Sequence, residues 1–341
     1  MTRRPLRRGA VALAAVTLLA FGCSDDGALS SSEADAEPSG PTSTTSNGAA
    51  SGTVAPSTTS TTSTSTTVPG GPAAPNGQRR PTPPSTAAQT AQEIGFTESQ
   101  LRDPATPVAV RAELGHRNQI AYRTLGRTPA WDAEVFAALP PDLADVARAH
   151  VEARRTLAAM HPDPSANVPA WKIVEPEPAD ALLDYFREAE AATGIEWEYL
   201  AAINLVETGF GRIRGLSVAG AQGPMQFLPT TWAERGIGEG DIDDPHDSIQ
   251  AAARYLVRRG GPADMQRALR GYNNSPNYVT AVSLYADLMR RDERALWVLH
   301  EWQIHYLSSA GDLWFPVGYL EQQPVPATEY LSRAPWSAPT R

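Results

Sequence analysis

Trp197-Glu198-Tyr199-Leu200-Ala201-Ala202-Ile203-Asn204-Leu205-Val206-Glu207-Thr208-Gly209 reads as one helix. Apolar residues recur at helical spacing, no proline interrupts them, and Gly209 and Gly211 supply the stop. Glu207 lies four residues after Ile203 and seven after Leu200, so its carboxylate shares their apolar face. Burial disfavours the charged form, and the negative end of the helix dipole at the last turn disfavours it further. Both raise its pKa, as suits a general acid that must hold its proton near neutral pH. The alternative is a glutamate at a helix end paired with Arg212 or Arg214, which would lower the pKa.

The chain around this helix has the same character. From about Glu93, apolar and charged residues alternate at helical spacing with few β-branched runs, which predicts a mainly α fold. The predicted helices are 104–126, 130–139, 141–160, 178–194, 196–208, 229–235, 246–259, 263–272, 275–292 and 293–309. Asp312 to Tyr330 reads as extended chain wrapping the helical body. No internal repeat is visible.

A second informative stretch runs Ser217-Val218-Ala219-Gly220-Ala221-Gln222-Gly223-Pro224-Met225-Gln226-Phe227-Leu228-Pro229-Thr230-Thr231-Trp232. Its glycines allow a backbone to lie close to a ligand, and Pro229 opens the next helix. From here the sequence resembles the lytic transglycosylases of the goose-lysozyme-like superfamily. It supplies, in the family's order, Glu207-Thr208, Ser217, Gly220 to Gln226, Pro229, Tyr255-Leu256, Tyr272-Asn273 and Tyr278-Val279. The resemblance covers about 180 to 292. Thr208 stands where the family usually has serine, Pro224 replaces leucine, and Asn274-Ser275 follows the Tyr-Asn pair where small residues are commoner. None of these changes removes a proton donor.

The resemblance implies a lysozyme-like (SLT-type) helical domain that binds peptidoglycan glycan strands. Glu207 would protonate the oxygen between N-acetylmuramic acid and N-acetylglucosamine, the substrate's N-acetyl group would assist, and the muramyl C6 hydroxyl would close a 1,6-anhydro end. A conventional glycosidase needs a second carboxylate, and this family is thought to need one only. Ser217 would bond the N-acetyl group or position Glu207, Gln226 and Asn273 would offer amides to the sugar, and Tyr278 would sit near the acid. Met225 would line the cleft floor and Tyr272 would pack or bind, with ordinary core packing the alternative for both. A hydrolytic muramidase and a non-catalytic glycan-binding lipoprotein are the competing functional readings.

No cofactor or metal is expected. The six histidines show no His-x-x-x-His spacing, and Glu239 to Asp244 lacks the full ligand set of a calcium loop. Asp247 reads as a charge at a helix N-terminus. Acidic residues outnumber basic ones 38 to 29, with Lys172 the only lysine, which argues against nucleic acid as a partner.

The N-terminus is read separately. Arg3, Arg4, Arg7 and Arg8 precede an apolar run from Ala10 to Phe21, too short to span a bilayer, so 1–23 is read as a signal peptide. Ala20-Phe21-Gly22-Cys23 resembles a lipobox, which makes Cys23 the expected lipidation site. The reading is an exported, membrane-anchored protein facing the cell wall, with a secreted form as the alternative and the Sec or twin-arginine route left open. Residues 24–92 are expected to be a disordered Ser/Thr/Pro-rich linker, since 41–78 carries no charge and little apolar area. The remaining divisions are a helical support region at 93–177, the catalytic domain at 178–292, and a C-terminal helix and extended tail at 293–341. Cell-wall synthesis or division proteins are the candidate protein partners.

Overall fold

A computed structural model describes residues 71–339, so the expectations for the signal peptide, Cys23 and most of the linker lie outside the described residues. The first helices are α1 (Ala87–Arg102), α2 (Val108–Arg127), α3 (Asp132–Ala138) and α4 (Pro141–Ala158). Short strands β1 (Asn167–Val168) and β2 (Lys172–Ile173) follow, then α5 (Ala179–Thr193) and α6 (Trp197–Thr208). After β3 (Ile213–Arg214) come α7 (Pro229–Trp232), α8 (Pro245–Arg259), α9 (Met265–Tyr272), α10 (Pro276–Arg291) and α11 (Ala295–His300). The chain ends with β4 (Ile304–Ser308), β5 (Gly311–Phe315), β6 (Val325–Pro326) and α12 (Ala327–Arg333). The mainly α class is as the sequence indicates.

Helix α6 is the axis of the molecule. Leu200, Ala201, Ala202, Ile203 and Val206 are all fully buried, so the helix is covered on every side rather than along one stripe. α10 packs against both α6 and α4, while α5 packs against α6 and α8. One apolar cluster therefore runs from Tyr122, Leu125 and Val151 through Leu200 and Ile203 to Val282 and Tyr285. The helices before residue 177 and those after it share this core, so the boundary drawn there does not separate two cores.

The small strands form a second cluster. β2 pairs antiparallel with β3, setting Lys172 opposite Arg214 and Ile173 opposite Ile213. β4 and β5 form a hairpin from Ile304↔Phe315 to Ser308↔Gly311. Trp171, Ile173, Ile213, Leu313, Phe315, Tyr319 and Tyr330 bury one another here.

Three expectations need correction. The linker does not reach residue 92: α1 starts at Ala87, where the Thr86 side chain accepts from Gln89 N at 3.1 Å and Gln89 Oε1 accepts from Ser85 N at 2.9 Å. This is close to a capping box, and it nucleates a helix out of the Ser/Thr-rich stretch. Further upstream, Arg80 is buried, its Nη1 donating to the carbonyls of Asp312 (2.6 Å) and Ser337 (2.7 Å). The helix expected over 293–309 stops at His300, because 304–308 finds a strand partner in 311–315. Lastly, the extended tail contains α12. Among the described residues, no helix is long and apolar enough to cross a membrane.

Candidate active site

Helix α6 ends on Gly209, whose left-handed backbone (φ 60°, ψ 50°) lets its N–H donate to Leu205 O at 2.9 Å. Phe210 continues in the same region at φ 63° although it is not glycine, a conformation costing on the order of 1–3 kcal/mol. The burial of Phe210 holds it there. This double left-handed step turns the chain sharply after Glu207, ahead of β3.

Glu207 is 1% exposed. Burial pushes its pKa up to about 8, with a hydrogen bond from Tyr278 acting weakly in the other direction. The Tyr278 hydroxyl donates to Glu207 Oε1 at 2.8 Å, and burial raises its own pKa well above the ordinary value. Tyr278 reaches this place because Ser275 caps α10, its side chain accepting from Tyr278 N at 3.3 Å with Pro276 in the first turn. The second oxygen, Oε2, accepts no hydrogen bond from any described residue, and no acidic side chain hydrogen-bonds the carboxyl among them. The arginines face elsewhere. Arg212 donates to His300 O at 2.6 Å and lies 3.6 Å from Glu175, while Arg214 donates to Asp243 O at 2.6 Å. The reading of Glu207 as an arginine-paired glutamate therefore does not hold.

The 217–227 loop is fastened to α6 through one carbonyl. Pro224 O accepts from Asn204 Nδ2 at 3.0 Å and from Thr208 Oγ1 at 2.6 Å, and Thr208 Oγ1 in turn accepts from Gly211 N at 2.9 Å. Thr208 thus performs with a hydroxyl what a serine could perform, and its extra methyl is buried. Neither Asn204 nor this role of Thr208 stood out in the sequence. The signal was present as two polar residues four apart on an otherwise apolar helix. Gly223 is required by both conformation and space: its φ is +77°, and a Cβ there would lie 2.0 Å from Ile242 O.

The other expected site residues fall into three groups. Met225 and Tyr272 are core residues. Met225 is fully buried, Tyr272 donates to Met225 O at 2.7 Å, and its ring lies parallel to Tyr278 with centroids 6.5 Å apart. Gln226 has a left-handed backbone (φ 50°) and turns its Nε2 onto Gly223 O at 3.0 Å, so it stiffens the loop. Ser217 Oγ accepts from the N–H groups of Ala219 (3.2 Å) and Ala221 (3.0 Å), closing the tip of the loop, and makes no hydrogen bond to Glu207. Asn273 is different: its side chain is buried and Nδ2 has no described partner, leaving a donor to spare.

The downstream aspartates are occupied in folding. Asp244 caps α8 by accepting from Asp247 N at 3.0 Å, and Asp247 Oδ2 accepts from Asp241 N at 2.9 Å. Asp244, His246 and Asp247 lie close enough together to surround a cation, but these hydrogen bonds already define the helix entrance.

Residues 184–287 match the family model described as Transglycosylase SLT domain, and this part of the chain is an SLT-type transglycosylase domain. The match spans Glu207, the 217–227 loop, Tyr272, Asn273 and Tyr278. Among curated proteins, the chain is similar to the membrane-bound lytic murein transglycosylase F of Thiobacillus denitrificans, with 31% identity over 112 residues. That alignment covers 30% of this chain and 23% of the relative, so the chain spans less than a quarter of that protein's length. No solved structure gives a significant match.

Proposed function

We propose that the protein is a peptidoglycan lytic transglycosylase that cleaves the β-1,4 bond between N-acetylmuramic acid and N-acetylglucosamine and leaves 1,6-anhydromuramyl ends. The observation that carries this is the buried carboxyl of Glu207, raised to about 8 by desolvation and oriented by Tyr278. At neutral pH it is protonated and can deliver its proton to the glycosidic oxygen. Oε1 is held by Tyr278, which leaves Oε2 to face the substrate. Once the bond breaks, the carboxylate takes the proton of the muramyl C6 hydroxyl as that oxygen attacks the anomeric carbon. The same residue acts twice, so no second carboxylate is needed. Asn273 Nδ2, buried and without a described partner, is a donor available to a sugar hydroxyl or acetamido oxygen.

The cellular setting belongs to the same proposal. The Arg-rich start, the apolar run and Gly22-Cys23 fit export and lipid anchoring at Cys23, and the similar transglycosylase is named as membrane-bound. Work on cell-wall remodelling beyond a membrane follows from this arrangement.

Incubation with purified peptidoglycan tests the proposal. Soluble muropeptides should appear, and kcat/KM should hold at neutral pH and fall above about 8 as Glu207 loses its proton. Release of no sugar under any condition would overturn it. Tyr278 is assigned as a positioning residue, and Tyr278→Phe gives its own readout. Loss of the hydrogen bond to the carboxylate removes an influence that favours the charged form. The alkaline limb should therefore move above the wild-type value while kcat falls about 10-fold or more. A fall in activity with an unmoved limb would mean that Tyr278 only packs.

A further inference from the structure

Beside the loop of the candidate active site lies an open groove of about 320 Å³ lined by Arg214, Gly215, Leu216, Gln222 and Asp243. Gln222 belongs to the loop that Pro224 fastens to α6, so the groove adjoins the structure carrying Ser217 and Gln226. Arg214 is held on its wall by the hydrogen bond to Asp243 O. Directly opposite on the paired strand stands Lys172, exposed and on the same face of the ladder, while Ile173 and Ile213 fill the other face. Like charges facing each other across an antiparallel pair are destabilising. Neither cation forms an ion pair with a described carboxylate. Asp243 carries the one acidic side chain lining the groove, and it meets Arg214 through its carbonyl rather than its carboxylate. In a chain with net charge −9, this is an unbalanced positive spot. Leu216, 59% exposed, adds an apolar shoulder.

We propose that Lys172 and Arg214 bind a carboxylate carried on the C3 side group of muramic acid and so make this enzyme favour glycan strands bearing that charge. The inference rests on the function proposed above and names the substrate feature read outside the scissile bond. Two sources share the chemistry: the carboxylates of the peptide stem, and the free lactyl carboxylate left when the stem is removed.

The test compares wild type, Lys172→Ala, Arg214→Ala, the double variant, and the charge-keeping Lys172→Arg and Arg214→Lys. Three substrates are used: peptide-bearing strands, peptide-stripped strands, and stripped strands whose lactyl carboxyls have been amidated. Exposed ion pairs are weak singly, so the double variant should lose about fivefold in kcat/KM, carried by KM, on a charged substrate. The charge-keeping variants should keep most of the wild-type value, and added salt should shrink the difference. Loss confined to peptide-bearing strands assigns the stem carboxylates, loss confined to stripped strands assigns the free lactyl carboxylate, and loss on both shows that the pair takes either one. Equal loss on all three, the amidated strands included, overturns the inference. Cleavage of none of the three by wild type would instead refute the underlying function.

Discussion

Glu207→Gln leaves the protein folded and lowers glycan cleavage by at least about 10²–10⁴, the usual range for one proton-transferring group. The loss should sit at the top of that range, because in the proposed mechanism the same carboxyl serves both steps. The amide keeps the shape and can still accept the Tyr278 hydrogen bond, but it has no proton to deliver. Stability moves the other way. The folded-state pKa of about 8 lies above the ordinary glutamate value, so the folded state binds more protons than the unfolded state between those values. Wild-type stability therefore falls as pH rises from about 4.5 to about 8. At pH 7 the penalty is on the order of 3 kcal/mol, at about 1.36 kcal/mol per pKa unit. Denaturation at pH 7 should show the variant as stable as wild type or more so, and binding of a short glycan should persist. Near-normal cleavage by this variant would remove Glu207 from its role.

Asp312→Asn should cost about 3–5 kcal/mol, the range for breaking a buried ion pair from one side. The Asp312 carboxylate is buried and meets Arg80 Nη2 (3.1 Å), Arg123 Nε (3.1 Å) and Arg127 Nη2 (2.5 Å), with His305 Nδ1 at 3.7 Å. Burial alone would push its pKa up, but Arg123 and Arg127 outweigh that and hold it well below the usual carboxylate range. This contribution is fully present above the unfolded value of about 4 and is lost as pH falls through the depressed folded value. The variant should unfold at lower denaturant at neutral pH and show a flatter dependence below about pH 4. A variant within 1 kcal/mol of wild type would show that the arginines do not depend on this carboxylate. The wider consequence is architectural: Asp312 on β5 ties the segment before α1 and helix α2 to the C-terminal hairpin, both outside the matched SLT segment.

These two residues illustrate what the sequence could and could not convey. The burial of Glu207 was legible because it is set locally, by a helix period, a glycine stop and the apolar residues at i−4 and i−7. Arg212 and Arg214 were ambiguous, since their distance from Glu207 along the chain says nothing of direction. The double left-handed step at Gly209 and Phe210 decides it by sending both to partners far off in sequence. Asp312 and Arg80 were illegible for the same reason: their partners lie hundreds of residues away, and Arg80 sits at the edge of a stretch composed like a stalk. The 304–308 segment was misread as helix because a short apolar run has no periodicity that separates helix from strand until its partner at 311–315 is known. By contrast, α1 was missed although Thr86 and Gln89 carried its start signal in plain sequence.

The central claim is that one carboxyl breaks the glycosidic bond without water entering the product, and mass analysis of muropeptides released from purified peptidoglycan tests it. Transglycosylation predicts 1,6-anhydromuramyl ends about 18 Da lighter than reducing ends, the difference of one water. Products that carry that water throughout would make the protein a hydrolase and contradict the account.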